Sequence, residues 1–134
     1  MIQLTFTDEF IYPDSSDGIT IPTLLRSGDR AITDTAKVDT GAEVCLFRRE
    51  IGEELGLPLE QGLPVTLRSL AGPVEAFGHE VTIQTGNFSF QSFVYFAKYP
   101  GLPRNILGRR GWLRNLRFAV IDYDNLLYLS DYHS

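Results

Sequence analysis

The chain has 134 residues, which is enough for one domain with its own core and too few for two. Its apolar fraction of 43 % is typical of a globular protein and excludes a disordered chain. The net charge of −5, with both signs spread along the sequence, leaves no basic stripe for nucleic acid or for a membrane surface. We therefore predict a single domain over residues 1–134 with no nucleic-acid partner.

The first part of the chain predicts β-strands. Strand patterns occur in "IQLTFT", "ITIPTLL" and "RAITDTAKV", and the turn clusters "DSSDG" and "SGD" separate them. Pro22 cannot donate a hydrogen bond to a neighbouring strand, so it places its part of the second strand at an edge or a bend. The third strand leads directly to Asp39.

A helix is predicted next, within "LFRREIGEELGLP". Phe47, Ile51 and Leu55 are spaced four apart, which stacks them on one helical face, and Gly56 and Pro58 supply a stop signal. Arginines near the start and glutamates near the end oppose the helix dipole, so packing has to hold this helix.

The remaining chain reads mostly as strands. They are "PVTLRSL", "VEAFGHEVTIQT", "FSFQSFVYFA", "RFAVID" and "LLYLS", with turns at "AGP", "GN" and "YDN". Between the third and fourth of them, "NILGRRGWLRNL" predicts a strand end followed by a second short helix, with Trp112 in the core. Many short strands with one or two short helices predict an all-β barrel or sandwich.

Asp39 stands at the end of an apolar strand, in "AKVDTGAEV". A carboxylate there is costly unless it is paired or functional. Gly41 permits a tight turn, and the hydroxyl of Thr40 can bond to another group. Two interpretations remain open at this point: Asp39 caps its own turn, or it belongs to an active site.

Three segments, in order, resemble the retropepsin-like family of aspartic proteases, the single-lobed relatives of retroviral proteases. "VDTGA" resembles the catalytic loop, "LRSLAGPVEAFG" resembles the flap hairpin, and "LPRNILGRRGWL" is similar to the family's segment of two apolar residues, Gly and Arg before a helix. The resemblance extends from about residue 30 to 130. It implies an all-β acid-protease barrel with one or two short helices.

The resemblance also implies an activity. Two aspartates that share one proton activate a water molecule for attack on a peptide bond. The chain has one Asp-Thr-Gly, so the second carboxylate has to come from another copy, and Asp39, Thr40 and Gly41 become the catalytic residues of a homodimer. No metal or organic cofactor is expected. The alternatives are a non-catalytic module of this fold for dimerisation, or one that binds peptides by strand addition.

By the same resemblance, further residues surround a peptide or protein substrate. Substrate contacts are expected from the loop after Asp39, from the hairpin tip and from the third segment: Ala42, Glu43, Leu70, Ala71, Gly72, Arg104 and Ile106. Gly108 and Arg109 are expected to support the site, with Arg109 paired to Glu43 in a partly buried ion pair. Residues 68 to 78 are expected to form a mobile hairpin over the cleft. The chain termini are expected to pair with the partner subunit.

Lys37 and Arg104 depart from the family, which commonly has apolar residues at these positions. Lys37 lies two residues before Asp39 on a strand, so both side chains are expected on one side. Two cations along the cleft predict a preference for Asp or Glu beside the scissile bond. The alternative is that both side chains extend to solvent.

Other reactive residues are weaker candidates. Cys45 with His79 or His133 could form a cysteine nucleophile, but Cys45 follows a buried-strand pattern and is expected in the core. Two histidines far apart in sequence give no metal-ligand spacing. No signal peptide or run of roughly 20 apolar residues is present, so the compartment stays unassigned, with the cytoplasm favoured.

Overall fold

The computed structural model describes residues 1–133, which are dominated by β-strands. The strands are β1 (Asp8–Ile11), β2 (Thr20–Ser27), β3 (Arg30–Val38), β4 (Leu46–Phe47), β5 (Leu63–Ser69), β6 (Gly72–Thr85), β7 (Phe88–Ala97), β8 (Asn105–Leu107), β9 (Leu116–Ile121) and β10 (Leu126–Asp131). The helical segments are one α-helix, α1 (Arg49–Glu54), and 3-10 helices at Leu59–Gln61, Leu113–Asn115 and Asp122–Asp124.

Six strands close into a barrel, in the order β2-β3-β8-β4-β7-β6, because β2 pairs with β6 as well as with β3. The β3–β8 and β4–β7 pairs are parallel, and the other ladders are antiparallel. Strand β5 lies outside this ring and forms a hairpin with β6. The predicted all-β barrel is confirmed. Pro22 lies before the part of β2 that β6 covers, which begins at Leu24, so its edge position is also confirmed.

A second sheet has the order β1-β10-β9, so β10 lies between two strands of its own chain. The prediction of a strand over "IQLTFT" is wrong, because pairing with β10 begins only at Asp8. Residues 2–6 alternate as a strand would, but none of their backbone pairs in a sheet in the single chain, and Ile2 and Leu4 are exposed.

The core lies inside the barrel and under the second sheet. Its largest fully buried side chains include Phe47, Phe96, Leu107 and Trp112. The indole nitrogen of Trp112 donates to Oγ1 of Thr85 over 3.1 Å, which satisfies its one polar atom without water. The predicted core position of Trp112 is confirmed.

The helix α1 is shorter than its sequence pattern predicts. Phe47 belongs to β4, where it pairs with Phe96 in register, and the helix begins only at Arg49. Ile51 and Leu55 are buried as predicted, so packing does hold the helix. Gly52 lets it approach closely, because a Cβ there would lie 2.7 Å from Cδ2 of Leu59.

The second predicted helix is one 3-10 turn, Leu113–Asn115. At its start, the backbone N–H groups of Leu113 and Arg114 donate to carbonyls five residues back, at Gly108 and Arg109, rather than four residues back as in an α-helix. The segment "LGRRGWLRNL" therefore contains no α-helix, and only its 3-10 turn is helical. Within residues 1–133, no helix has the length and apolar character that crossing a membrane requires.

Candidate active site

Asp39 follows β3 and opens a tight turn. Its backbone N–H donates to the carbonyl of Leu107 over 2.9 Å, which extends the β3–β8 pairing by one residue. Oδ1 accepts the N–H of Gly41 at 2.9 Å, and the carbonyl accepts the N–H of Ala42 at 3.1 Å. Oδ2 has no hydrogen-bond partner among residues 1–133, so one carboxylate oxygen remains available to a ligand.

Two loops are docked against each other beneath this turn. Arg109 N–H donates to the carbonyl of Ala42 over 2.9 Å, and Arg110 N–H donates to the carbonyl of Glu43 over 2.8 Å. Gly108 makes the approach possible, because a Cβ there would lie 2.2 Å from the carbonyl oxygen of Val44. The Asp-Thr-Gly segment and the "ILGRR" segment are therefore one structural unit.

A row of side chains crosses the sheet next to Asp39. Four residues that pair in register across β2, β3, β8 and β4 share one face. They are, in that order, Thr20, Lys37, Ile106 and Leu46. Each of them is half-buried, whereas the residues that flank them on the other face are buried, except Ile19, which is half-buried. Asp39 is two residues beyond Lys37 and lies on the same side. The predicted residues Lys37, Asp39 and Ile106 therefore line one open face.

A network of charged and amide groups lies beside this face. Arg48 Nη2 donates to Oδ2 of Asp34 over 2.8 Å, and the side-chain amide of Asn105 donates to the same oxygen over 2.9 Å. Asn105 also donates to the carbonyl of Thr35 and accepts the backbone N–H of Arg48, each at 2.9 Å. The buried Asn105 thus ties β3, β8 and the start of α1 together, next to Arg104 and Ile106.

Burial raises the pKa of Asp34, but the hydrogen bonds from Arg48, Asn105 and the backbone of Thr35 outweigh it, so its pKa is below the usual value. Asp34 stands in "TDTA", which superficially repeats the Asp-Thr-Gly motif. Its carboxylate is engaged by Arg48 and Asn105, unlike Oδ2 of Asp39.

The hairpin of β5 and β6 ends in a two-residue turn, Leu70 and Ala71, flanked by the pair Ser69 and Gly72. Gly72 has φ +111°, a conformation that side chains rarely adopt, and open space surrounds its Cα. Leu70 is fully exposed. A hairpin with Gly72 at its tip is therefore confirmed, and its mobility and its place over the cleft stay predictions.

The predicted ion pair between Glu43 and Arg109 is wrong. Glu43 Oε1 lies 3.6 Å from Nε of Arg110, and the two side chains are 76 % and 63 % exposed. The backbone bond from Arg110 to Glu43 sets this one-residue offset, which leaves Arg109 alongside Ala42. The pair is also not buried, so it contributes little to the stability of the single chain.

Cys45 is a core residue, as predicted. Burial raises the pKa of its thiol to about 11, so the thiol stays protonated and is no nucleophile at neutral pH. Its sulfur accepts the N–H of Gly108 at 3.4 Å. His79 contacts the carbonyl of Leu59 instead, at 3.0 Å. Among residues 1–133, no three His, Cys, Asp or Glu side chains form a group that could hold a metal ion.

Some residues beside Lys37 and Ile106 carry no sequence signal of their own. Leu46 looks like part of a helix, Thr20 like an ordinary strand residue, and Asp17 like part of a turn. The register of β2, β3, β8 and β4 brings the first two beside Lys37 and Ile106. Their positions could have been predicted only by recognising that the strand "TAKV" pairs in parallel with the strand "NIL".

Comparisons with known proteins agree with this geometry. The sequence model described as "Aspartyl protease" matches residues 26–110, which include Asp39, the hairpin and the docked loops. No curated protein sequence matches the chain.

Two solved structures are similar in fold. A retropepsin-like aspartic protease from Rickettsia conorii is 20 % identical with a TM-score of 0.65, over 96 % of both chains. The EIAV protease, complexed with the inhibitor HBY-793, is 20 % identical with a TM-score of 0.55, over 74 % of this chain and 88 % of that one. The family match spans more than half of the sequence, and the barrel is the one these structures share. The chain therefore belongs to the aspartyl protease family and has the retropepsin-like fold.

Proposed function

We propose that this chain is an aspartic endopeptidase in which two copies each contribute one Asp39 to a shared site. The observation that carries the proposal is the state of the Asp39 carboxylate. One oxygen is held by Gly41, and the other has no partner among the residues described and lies on the open sheet face. One such carboxylate cannot act as acid and base in the same step, so the site is incomplete without a second copy.

The reaction follows from two carboxylates close together. Like charges a few ångströms apart cannot both ionise, so the pair holds one proton. The ionised Asp39 takes a proton from water while the oxygen of that water bonds to the peptide carbonyl carbon. The protonated Asp39 donates to the carbonyl oxygen. Collapse of the tetrahedral species breaks the C–N bond, and a proton passes to the leaving amine.

The surroundings of Asp39 suit this role. Thr40 and Gly41 are exposed at the tip of the turn, where they can meet the equivalent loop of a second copy. Gly41 suits the turn, because a Cβ there would lie 3.3 Å from Oδ1 of Asp39, so a larger residue would have to displace that oxygen slightly. The backbone bonds from Arg109 and Arg110 beneath the loop, together with the close approach at Gly108, fix its position, which is what positioning a nucleophilic water demands.

The second sheet offers a surface for the partner copy. Ile11, Leu126 and Ile121 form a row across β1, β10 and β9, with Ile11 and Ile121 exposed. Strand β10 is already paired on both sides, so the expected terminal pairing has to use the outer edges of β1 or β9, or residues 1–7. We assign this apolar surface to the second copy because a catalytic pair needs one.

A peptide substrate would lie across the open face with the hairpin above it. Lys37, Ile106 and Ala42 surround Asp39, and Leu70 to Gly72 form the tip of the β5–β6 hairpin. Closure of this hairpin would exclude water from the reacting bond. In this arrangement the exposed Leu70 gains an apolar partner only in the closed state.

The test is cleavage of a diverse peptide pool by the wild type and by Asp39→Asn. Asn keeps the shape and removes the base, so cleavage should fall by about a hundredfold or more while the dimer persists in sedimentation. Asp29→Asn, in the exposed turn between β2 and β3, is the matched control and should cleave normally. Full activity in Asp39→Asn contradicts the mechanism. Peptide binding without any cleavage in the wild type would identify a binding module instead.

A further inference from the structure

A charged cavity of about 270 Å³ lies beside the open face, between the turn before β2, strand β3 and the segment that leads into β8. Its charged lining consists of Asp17, Asp34, Lys37, Arg48 and Arg104. Three cations therefore meet two carboxylates in a protein whose net charge is −5. The cavity carries one positive charge in excess on an otherwise acidic surface.

The five charges are unequally neutralised. Arg48 is paired with Asp34 at 2.8 Å and lies 3.9 Å from Glu50 outside the cavity, and Asn105 supports the Asp34 carboxylate. Arg104 is only loosely paired, with 3.9 Å between its Nη2 and Oδ1 of Asp17. Lys37 has no hydrogen bond or ion pair among residues 1–133. The excess positive charge is therefore that of Lys37.

The backbone holds the Lys37 side chain at this cavity. The Cε of Lys37 lies 3.2 Å from the place where a Cβ on Gly18 would stand. A side chain at position 18 would therefore crowd Lys37, and the φ of +82° at Gly18 also disfavours one. Thr20 and Ile106 flank Lys37 on the same face. Lys37 is half-buried in these surroundings rather than extended freely into solvent.

We propose that this cavity binds an acidic side chain, Asp or Glu, of the peptide, with Lys37 as its anchor and Arg104 as a weaker contributor that Asp17 partly neutralises. This rests on the proposed function, because Asp39 follows Lys37 by two residues at the end of β3 and lies on the same side. A carboxylate would neutralise the unpaired ammonium, whereas an apolar side chain would bury it without compensation. Asp17 is the opposing element, since it repels an acidic ligand and reduces the contribution of Arg104.

Binding can be measured without cleavage in the Asp39→Asn dimer. The probes are peptide pairs that differ only by Glu or Gln, with the exchange moved through each position around the cut, or around the centre when no cut is known. Calorimetric titration should show one position at which Glu binds about fivefold more tightly than Gln, the ratio expected for one partly exposed ion pair. Lys37→Met should abolish this ratio, and Asp17→Asn should increase it.

The chain contains two lysines, Lys37 and Lys98, which supply a matched control. Lys98 lies near Glu75 and over the ring of Tyr99, outside the cavity lining, so Lys98→Met should keep the Glu preference. Reductive methylation with a carbon-13 label keeps both charges and gives one signal for each lysine. The Lys37 signal should shift with the Glu peptide and not with the Gln peptide, while that of Lys98 should stay in place.

The outcomes separate the two proposals. Equal binding of Glu and Gln peptides at every position, or a Glu preference that survives Lys37→Met, overturns the acidic pocket even when the wild type cleaves peptides. A Lys37-dependent Glu preference in a chain that cleaves nothing supports the pocket and contradicts the endopeptidase.

Discussion

Asn105 donates its side-chain amide to Oδ2 of Asp34 over 2.9 Å, across 71 residues of sequence. The same oxygen accepts Arg48, and the carbonyl oxygen of Asn105 accepts the backbone of that arginine. One carboxylate thus fixes the strand end that carries Arg104 and Ile106 relative to the strand that carries Lys37. The network therefore supports the sheet face that carries Lys37 and Ile106.

Asp34→Asn should destabilise the protein in a pH-dependent way. The folded-state pKa of Asp34 is lowered, so its contribution is present above the unfolded value, about 4, and is lost as pH falls through the folded-state pKa. The Asp34 side chain is 37 % exposed, so solvent screening reduces the cost at neutral pH. We expect that cost to be about 1 kcal/mol.

Urea unfolding at several pH values measures this difference. The gap between wild type and Asp34→Asn should close towards acidic pH, while Asp29→Asn, in the exposed turn after β2, should show no gap. A gap that is constant with pH would mean that the carboxylate charge is not what stabilises the network.

Gly108→Ala should separate the two docked loops. Its Cβ would lie 2.2 Å from the carbonyl oxygen of Val44, and backbone on both sides leaves it no room. We expect a loss of about 3 kcal/mol or more in the free energy of unfolding, at the upper end for an overpacked site. Gly41→Ala, whose Cβ would lie 3.3 Å from a side-chain oxygen of Asp39, should lose much less. Similar unfolding midpoints for both variants would contradict the docked-loop geometry.

Glu43 and Arg110 should couple only weakly in stability. Both side chains are largely exposed, so a double-mutant cycle with alanine should give a coupling below about 1 kcal/mol. Arg109→Ala should also leave the stability of the single chain nearly unchanged. If Arg109→Ala lowers the free energy of unfolding by several kcal/mol, the result would support the partly buried pair with Glu43 that the sequence predicts.

The β5–β6 hairpin should respond to a bound ligand. Amide hydrogen exchange across residues 68–78 should slow when a peptide-like inhibitor binds, because the lid then closes over it. Leu70→Ser should leave stability unchanged, since Leu70 is fully exposed, and should raise KM. The hairpin at residues 86–87, between β6 and β7, serves as the internal control. Unaltered exchange at residues 68–78 would count against a lid.

The sequence predicts most of the barrel because its signals there are local. Alternation bounded by Gly, Asn or Ser locates β3, β6 and β7 closely, and the Asp39 turn follows from its own residues. Strand β4 escapes prediction because Phe47 also fits the four-residue spacing of the helix that follows. The alternation at residues 2–6 predicts a strand that does not form. A strand needs a neighbouring strand to pair with, and residues 2–6 have none in the single chain.

The site is less predictable than the fold because its contacts are distant in sequence. The residues around Asp34 in the sequence give no sign that Asn105 bonds to it. Those around Asp17 likewise give no sign that Arg104 lies near it. The partner of Glu43 depends on a one-residue offset between two loops, which a backbone hydrogen bond decides. Motif positions identify such loops, but register decides which side chains meet.

Mixing of subunits tests the shared Asp39 site most directly. Wild type and Asp39→Asn are equilibrated at equal amounts and constant total concentration, and peptide cleavage is compared with that of pure wild type. A site that needs one Asp39 from each copy predicts that about one quarter of the activity remains, because only wild-type pairs cleave. Mixing with Asp29→Asn should leave full activity. If about one half remains with Asp39→Asn, each chain cleaves on its own and the shared site is contradicted.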